Sequence, residues 1–296
     1  MNNKHNRKTV TWEMISKNNS FLGIDYKTPM QERELTRQYY RDQYYETKDR
    51  CYVAVDFETM TKDPLSACAI ALVKIEKGEI TDKYYSLICP PPCVNDLDKE
   101  EFRYLHGISY KDCKKAPSFD KIYDDVMDFI GDAVLITHNK KFDLDVFMKL
   151  CMFYEKNLND YFYLLDDRNA VCTYALTGCS LDMAADALEI PELNHHDAMS
   201  DAIAAAEIFI SLLYQPFPWD DDTIKEKRPV YKELKKMKEL DAKKKLVYLK
   251  YKERYIALKI KEIQRLRKRK RNTAVLLGMI LGGFSLYKLW DVYRKR

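Results

Sequence analysis

The chain has 296 residues, of which 46% are hydrophobic, so a globally disordered protein is excluded and one sizeable domain with appendages is expected. The net charge of +4 hides a division: residues 1–220 hold 25 Lys/Arg against 37 Asp/Glu, and residues 221–296 hold 25 against 9. An acidic body with a basic tail implies separate tasks for the two parts.

Residues 1–27 are polar, lack a period and read as loosely packed. Thr28-Pro29-Met30-Gln31 starts a helix, with Thr as N-cap, Pro at the first helical position and Gln in the capping-box position. That helix runs to about Glu46 and carries Tyr39, Tyr40, Tyr44 and Tyr45 as a sticky face, for packing on the main domain or, alternatively, for nucleic acid.

From Cys51 the pattern becomes α/β. Strands are predicted over Cys51–Asp56, Ala67–Ile75 and Ile80–Ile88, the last two joined by Lys77-Gly78 as an antiparallel hairpin. Helical spacing at Phe119, Ile122, Val126 and Ile130 follows Pro117, and Ala133–Thr137 reads as a buried strand. A helix from Phe142 to about Tyr154, a fifth strand over Tyr161–Leu165, short helices near Ala170–Leu176 and Leu181–Leu188, and an alanine-rich helix over Ala198–Tyr214 complete the domain. Residues 222–271 form a long charged helix with a poor coiled-coil pattern, closed by a basic run over 265–271. Thr273–Tyr287 is uncharged. Counted through Trp290 it gives 18 residues, roughly 27 Å of helix, just short of a ~30 Å hydrocarbon core. A membrane anchor over 273–290 is expected, with the body cytoplasmic by the positive-inside rule. The eight cysteines follow no secretory signal and several sit in apolar runs, so they read as reduced core residues. A zinc site from Cys89, Cys93, Cys113 and His106 is the alternative.

The chemistry centres on Cys51–Met60. Residues two apart in a strand share a face, so Asp56 and Glu58 project together from an apolar strand. Two carboxylates so close repel, and a divalent cation relieves that. Further acids fall at other element ends: Asp143 opens the helix after Ala133–Thr137, where the dipole favours an anion, and Asp201 opens the alanine-rich helix, with His196 five residues before it.

Asp-Phe-Glu-Thr (56–59), His-Asn-x-x-Phe-Asp (138–143) and His-x-x-x-x-Asp (196–201) resemble the three motifs of the DEDDh 3′–5′ exonucleases, the group that includes the proofreading epsilon subunit of bacterial DNA polymerase III. Leu-His-Gly-Ile-Ser (105–109) and Ala-Pro-Ser-Phe (116–119) add to the likeness, which covers about residues 51–214. The resemblance implies a ribonuclease-H-like fold, a mixed five-stranded sheet flanked by helices, here followed by a long basic helix and an apolar C-terminal segment. It implies two Mg²⁺ or Mn²⁺ ions on Asp56, Glu58, Asp143 and Asp201, with His196 as general base. His195 competes for that role, and the five-residue spacing selects His196. Phe57, Thr59 and Met60 are implied to meet the 3′-terminal nucleotide, plain core packing being the alternative for Phe57. Asn139 is read as shaping the turn by hydrogen bonding, and His106 as structural.

The organisation expected is residues 1–50 as an N-terminal segment, 51–218 as the exonuclease domain, 219–271 as the basic helix and 272–296 as the anchor. The partners expected are nucleic acid 3′ ends, a membrane through 273–290 and a replication or repair complex, with oligomeric state open. Single-stranded DNA is the expected substrate. A 3′ exonuclease of RNA or short oligoribonucleotides, and a non-catalytic scaffold, are the competing functions.

Overall fold

The computed structural model describes residues 29–46, 50–156, 170–191 and 196–269. The calls on residues 1–28, on a strand over 161–165, on His195 and on the anchor over 273–290 fall outside them. Among the described residues no helix is long and apolar enough to cross a membrane.

The elements in chain order are α1 (Pro29–Glu46), β1 (Tyr52–Thr59), β2 (Ala67–Glu76), β3 (Glu79–Leu87), the short helices α2 (Arg103–His106) and α3 (Tyr110–Cys113), α4 (Phe119–Ile130), β4 (Val134–Thr137), α5 (Lys140–Phe153), β5 (Ala170–Cys172), α6 (Thr173–Thr177), α7 (Leu181–Ala187), α8 (Ala198–Tyr214) and α9 (Asp221–Arg269). The five strands form one sheet in the order β3-β2-β1-β4-β5. β1 is antiparallel to β2 and parallel to β4, and β5 is parallel to β4, so the sheet is mixed. Lys77 and Gly78 both take positive φ, the twist a two-residue hairpin needs.

The fifth strand is a correction within the described residues. Ala170–Cys172 was expected to open a helix, but it pairs with Leu135–Thr137, and helix begins only at Thr173. Three residues are too few to show a period.

The inner strands β1, β2 and β4 are buried on both faces, with side chains alternating between them. Tyr52 and Ala54 of β1, with Ala69, Ala71, Val73 and Ile75 of β2, face α8 and α1. Val53, Val55 and Phe57 face the other way, onto α4 and α5 through Phe119, Val126, Phe147 and Leu150. Small residues meet where α8 crosses the sheet: Ala198, Ala202, Ala205 and Ala206 lie in the same cluster as Ala69 and Ala71. With no bulk between them, helix and sheet approach closely. The large partners are Tyr52 and Phe209, whose ring centroids are 4.8 Å apart. Each fully buried large apolar side chain contributes on the order of 1.5–3 kcal/mol.

α1 belongs to this core. Tyr39 and Tyr40 are buried in the α8 cluster. Arg37 is 4% exposed, donates from Nε to the Leu176 carbonyl at 2.8 Å and pairs with Glu34 at 2.6 Å. Burial holds its guanidinium below the usual range. Arg33 pairs with Asp221 at the start of α9. The chain divides into two units, Met1–Leu240 and Asp241–Arg296. The second is helical as far as it is described, to Arg269.

None of the eight cysteines is in a disulfide, and Cys68, Cys113, Cys151 and Cys179 are buried. Cys113 lies with Met60 and Cys68 in a small third cluster.

Candidate active site

β1 runs farther than its parallel neighbour. Its pairing with β4 goes from Tyr52–Val134 to Ala54–Ile136, and β4 ends at Thr137, while β1 continues to Thr59. A crevice opens beyond the C-terminal end of β4, the usual place for a ligand in such sheets. The strand was expected to stop at Asp56. In the structure both acids lie inside it, paired only with β2, as Asp56–Ala71 and Glu58–Ala69. At Glu58/Thr59 the register shifts, leaving Cys68 as an extra residue on β2. Such a bulge adds local twist at the strand end that aims Glu58.

By alternation Asp56 and Glu58 lie on the α8 face, which brings them to the first turn of that helix. Asp201 stands there, and the ligand atoms of Glu58, His196 and Asp201 all lie within 4.8 Å of one another. Asp143 arrives from the other face, in the first turn of α5. It is 3% exposed, and its Oδ1 accepts the Phe57 N–H at 3.2 Å. That bond ties the helix start to the strand between the two acids. A cleft of about 250 Å³ is lined by Asp56, Phe57, Glu58, Thr59, Phe102, Leu105, Phe142, His196 and Asp201.

The electrostatics are those of a site short of positive charge. Burial, then the neighbouring Asp143, Asp201 and Glu58, pushes Asp56 well above the carboxylate range. Burial, then the neighbouring Asp201, Asp143 and Asp197, pushes Glu58 up to about 9. Asp143 is raised to about 8, chiefly by burial, although the Phe57 N–H opposes the shift. Oxygen donors that repel one another and are partly dehydrated suit a hard divalent cation. Asp56, Glu58, Asp143 and Asp201 are the residues that could hold one or two.

The remaining expected residues divide. Thr59 lines the cleft. Phe57 borders it, but its ring packs on Phe147 at 6.2 Å in the core. Met60 does not line the cleft: it is fully buried and its sulfur sits 4.0 Å from the Cys113 thiol, so its side chain is not available to a nucleotide. Asn139 precedes α5, where its carbonyl accepts the Phe142 N–H at 2.8 Å. It shapes the turn through its backbone, and its side chain makes no cap hydrogen bond.

His106 is structural in a specific way. Its Nδ1 accepts the Ile108 N–H at 3.1 Å, which leaves the proton on Nε2, 3.2 Å from the Thr59 carbonyl. The ring thereby pins the end of β1. Burial pushes its pKa down to about 4, so it is neutral at ordinary pH. With both ring nitrogens engaged by backbone and Cys113 packed against Met60, the zinc alternative has no ligand set. The grouping of metal-type ligands found among the described residues is Glu58, His196 and Asp201.

Sequence reasoning did not single out Phe102, Leu105 and Phe142 as site residues. They form apolar walls over the acidic floor, Phe142 being 40% exposed. The available signal was position: Phe142 directly precedes Asp143, and Leu105 precedes His106.

Carboxylates converging from β1 and from the first turns of two helices, with an imidazole beside them, make the arrangement that a metal-dependent phosphodiester hydrolase needs. The chain belongs to the exonuclease family: the RNase T exonuclease model matches residues 53–209. The DEDDh resemblance of its motifs falls within that family. The DNA polymerase III of PolC type from Thermotoga maritima is 28% identical over 169 residues, which is 55% of this chain and 12% of the polymerase. The PolC-type enzyme of Caldanaerobacter subterraneus is 29% identical over 168 residues, 55% of this chain and 11% of the polymerase. This chain thus spans about an eighth of the length of these relatives. Among solved structures, the nuclease domain of 3′hExo, a DEDDh family member, bound to rAMP, is similar over 58% of this chain and 96% of its own, at 16% identity and a TM-score of 0.46. E. coli Exonuclease I with a dA16 oligonucleotide is similar over 53% and 39%, at 13% identity and a TM-score of 0.45.

Proposed function

We propose that this protein removes nucleoside 5′-monophosphates one at a time from the 3′ end of single-stranded DNA. The observation that carries this is the convergence of Glu58, His196 and Asp201 within 4.8 Å in a cleft that Asp56 also lines, in a chain of the exonuclease family. The PolC-type relatives are DNA polymerases, which favours DNA over RNA and a place beside a replication or repair complex.

Asp56, Glu58, Asp143 and Asp201 would hold two Mg²⁺ or Mn²⁺ ions. When bound, such ions supply a water made reactive near neutral pH and stabilise the departing oxygen. His196 takes the proton of the attacking water. Imidazole suits that exchange because it can take up and release a proton near neutral pH. The new P–O bond forms as the bond to the 3′ oxygen of the penultimate residue breaks, and that oxygen becomes a hydroxyl by taking a proton from solvent water. Phe102, Leu105 and Phe142 cover the terminal nucleoside and exclude bulk water.

The test is degradation of a 5′-labelled single-stranded DNA, a duplex with a mismatched 3′ end and a short RNA by the full-length protein, with Mg²⁺, with Mn²⁺ and with EDTA. A metal-dependent ladder shortening from the 3′ end, fastest on single-stranded DNA, is expected. An inert protein on all three substrates with both metals overturns the reading, and faster RNA cleavage reassigns the substrate.

A membrane tether through 273–290 completes the proposal. Full-length protein should stay with membranes through a high-salt wash, and a chain ending at Asn272 should be released. Salt extraction of the full-length protein would exclude an inserted anchor.

A further inference from the structure

His196 occupies an unusual backbone state. Its φ is +65°, in the left-handed region that costs a non-glycine residue free energy and is kept only where its surroundings enforce it. Two hydrogen bonds close the turn around it. The His196 N–H donates to Asp201 Oδ2 at 3.1 Å, and the Asp201 N–H donates to the Asp197 carbonyl at 2.9 Å. The side chain of Asp197 then accepts the Ser200 N–H at 3.0 Å, capping α8. One residue therefore joins the expected proton acceptor on its N-terminal side to the helix that carries Asp201. The motif spacing specifies only the residues at either end of this turn.

We infer that Asp197 is a positioning residue for hydrolysis: by capping α8 it holds the left-handed turn that sets His196 and Asp201 in register against Glu58. Without the cap, the Ser200 N–H loses its partner, and the first turn of α8 is held only by the packing of Ala198 and Ala202 and by the Asp201–Asp197 backbone bond. His196 can then relax toward an ordinary backbone conformation, which swings its ring away from Glu58. Asp201 follows, because one of its oxygens is bonded to the His196 N–H. Asn and Ser cap helices about as well as Asp, so the role belongs to the cap and survives loss of the charge.

The inference rests on the reading of His196 as the proton acceptor, and the experiment separates the two. Wild-type, Asp197→Ala, Asp197→Asn, Asp197→Ser and His196→Ala proteins, and the double variant Asp197→Ala/His196→Ala, are assayed well below the melting temperature of each. We expect Asp197→Ala to lower kcat by tenfold to about a hundredfold, the scale of a small misplacement of a reacting group, with KM within about twofold. Asp197→Asn and Asp197→Ser should recover most of the loss. In the His196→Ala background the Asp197→Ala change should cost little more, since a group acting through His196 is non-additive with it. Mn²⁺ titration, read by electron paramagnetic resonance without substrate, should show weaker binding in Asp197→Ala, restored in Asp197→Ser. An unchanged kcat in Asp197→Ala, a loss that neither Asn nor Ser repairs, or a full additional loss in the double variant overturns the inference and leaves the exonuclease reading intact. An inert wild type overturns both.

Discussion

At the residue scale the site is held together against its own repulsion. Asp56, Glu58 and Asp143 ionise near pH 4 in an unfolded chain. In the folded metal-free protein they keep protons to about 9 for Glu58 and about 8 for Asp143, with Asp56 also well raised. Between those limits the folded state binds more protons than the unfolded one, so metal-free stability falls as pH rises from about 4 to about 9. A divalent cation favours the ionised forms, so the gain in melting temperature on adding Mn²⁺ should be larger at pH 9 than at pH 6, as calorimetry would report. A gain independent of pH would contradict this origin. Replacing one repelling acid should then separate activity from stability. Asp56→Asn should lower hydrolysis by about 10²–10³-fold or more. In EDTA at pH 8 it should melt higher than wild type, because an amide at this position takes up no proton on folding. The residue types of this site were legible in the sequence, because strand alternation put Asp56 with Glu58 and the resemblance to the DEDDh motifs put His196 with Asp201. The apolar walls were not: Phe102, Leu105 and Phe142 look like core residues until the fold leaves one side of each open.

At the scale of elements, long periodic segments were legible and short ones were not. The hairpin at Lys77-Gly78, the helix ending at Ile130 and the helix Ala198–Tyr214 follow from turn chemistry and 3.6-residue spacing. β5, three residues long, carries no period, and its place is fixed by pairing with β4. Nor could the sequence say that β1 outruns β4, because register between distant strands is a tertiary property. α1 was legible as a helix from its start signal, and its expected docking on the main domain is seen in Tyr39 and Tyr40. Its latch, Arg37, was not legible, since an arginine in a charged helix reads as solvated. Arg37→Ala strips a charged donor from the Leu176 carbonyl, a loss of about 1.5–3 kcal/mol. The melting temperature should drop by roughly 3–12 °C, with kcat on a short oligonucleotide little changed. A drop of less than a degree would mean that α1 is not latched through this contact.

For the whole molecule, the charge division acquires a physical consequence. Residues 1–240 hold 32 Lys/Arg against 42 Asp/Glu, and residues 241–296 hold 18 against 4. An acidic body repels a polyanion, whereas a basic segment gathers it with an affinity that falls with salt. A chain ending at Leu240 should keep its kcat at saturating oligonucleotide and raise its KM. Its kcat/KM should depend less steeply on salt than that of the full chain, read as the slope of log kcat/KM against log salt. Equal slopes would remove the second unit from substrate capture.

The alanines between α8 and the sheet have no reactive group, yet they set the gauge of the machine. Asp201 is carried on α8, and Glu58 on the strand beside the one that presents Ala69 and Ala71. The separation between these acids is therefore fixed by the thinnest side chains in the core. A thicker spacer acts as a wedge: Ala202→Val, next to Asp201, should cost about 1–3 kcal/mol by overpacking and widen the jaws that must close on a cation. Mn²⁺ affinity should weaken although no ligand has been touched. Mutational tolerance in this protein should accordingly be as low along an inert seam as at the carboxylates themselves.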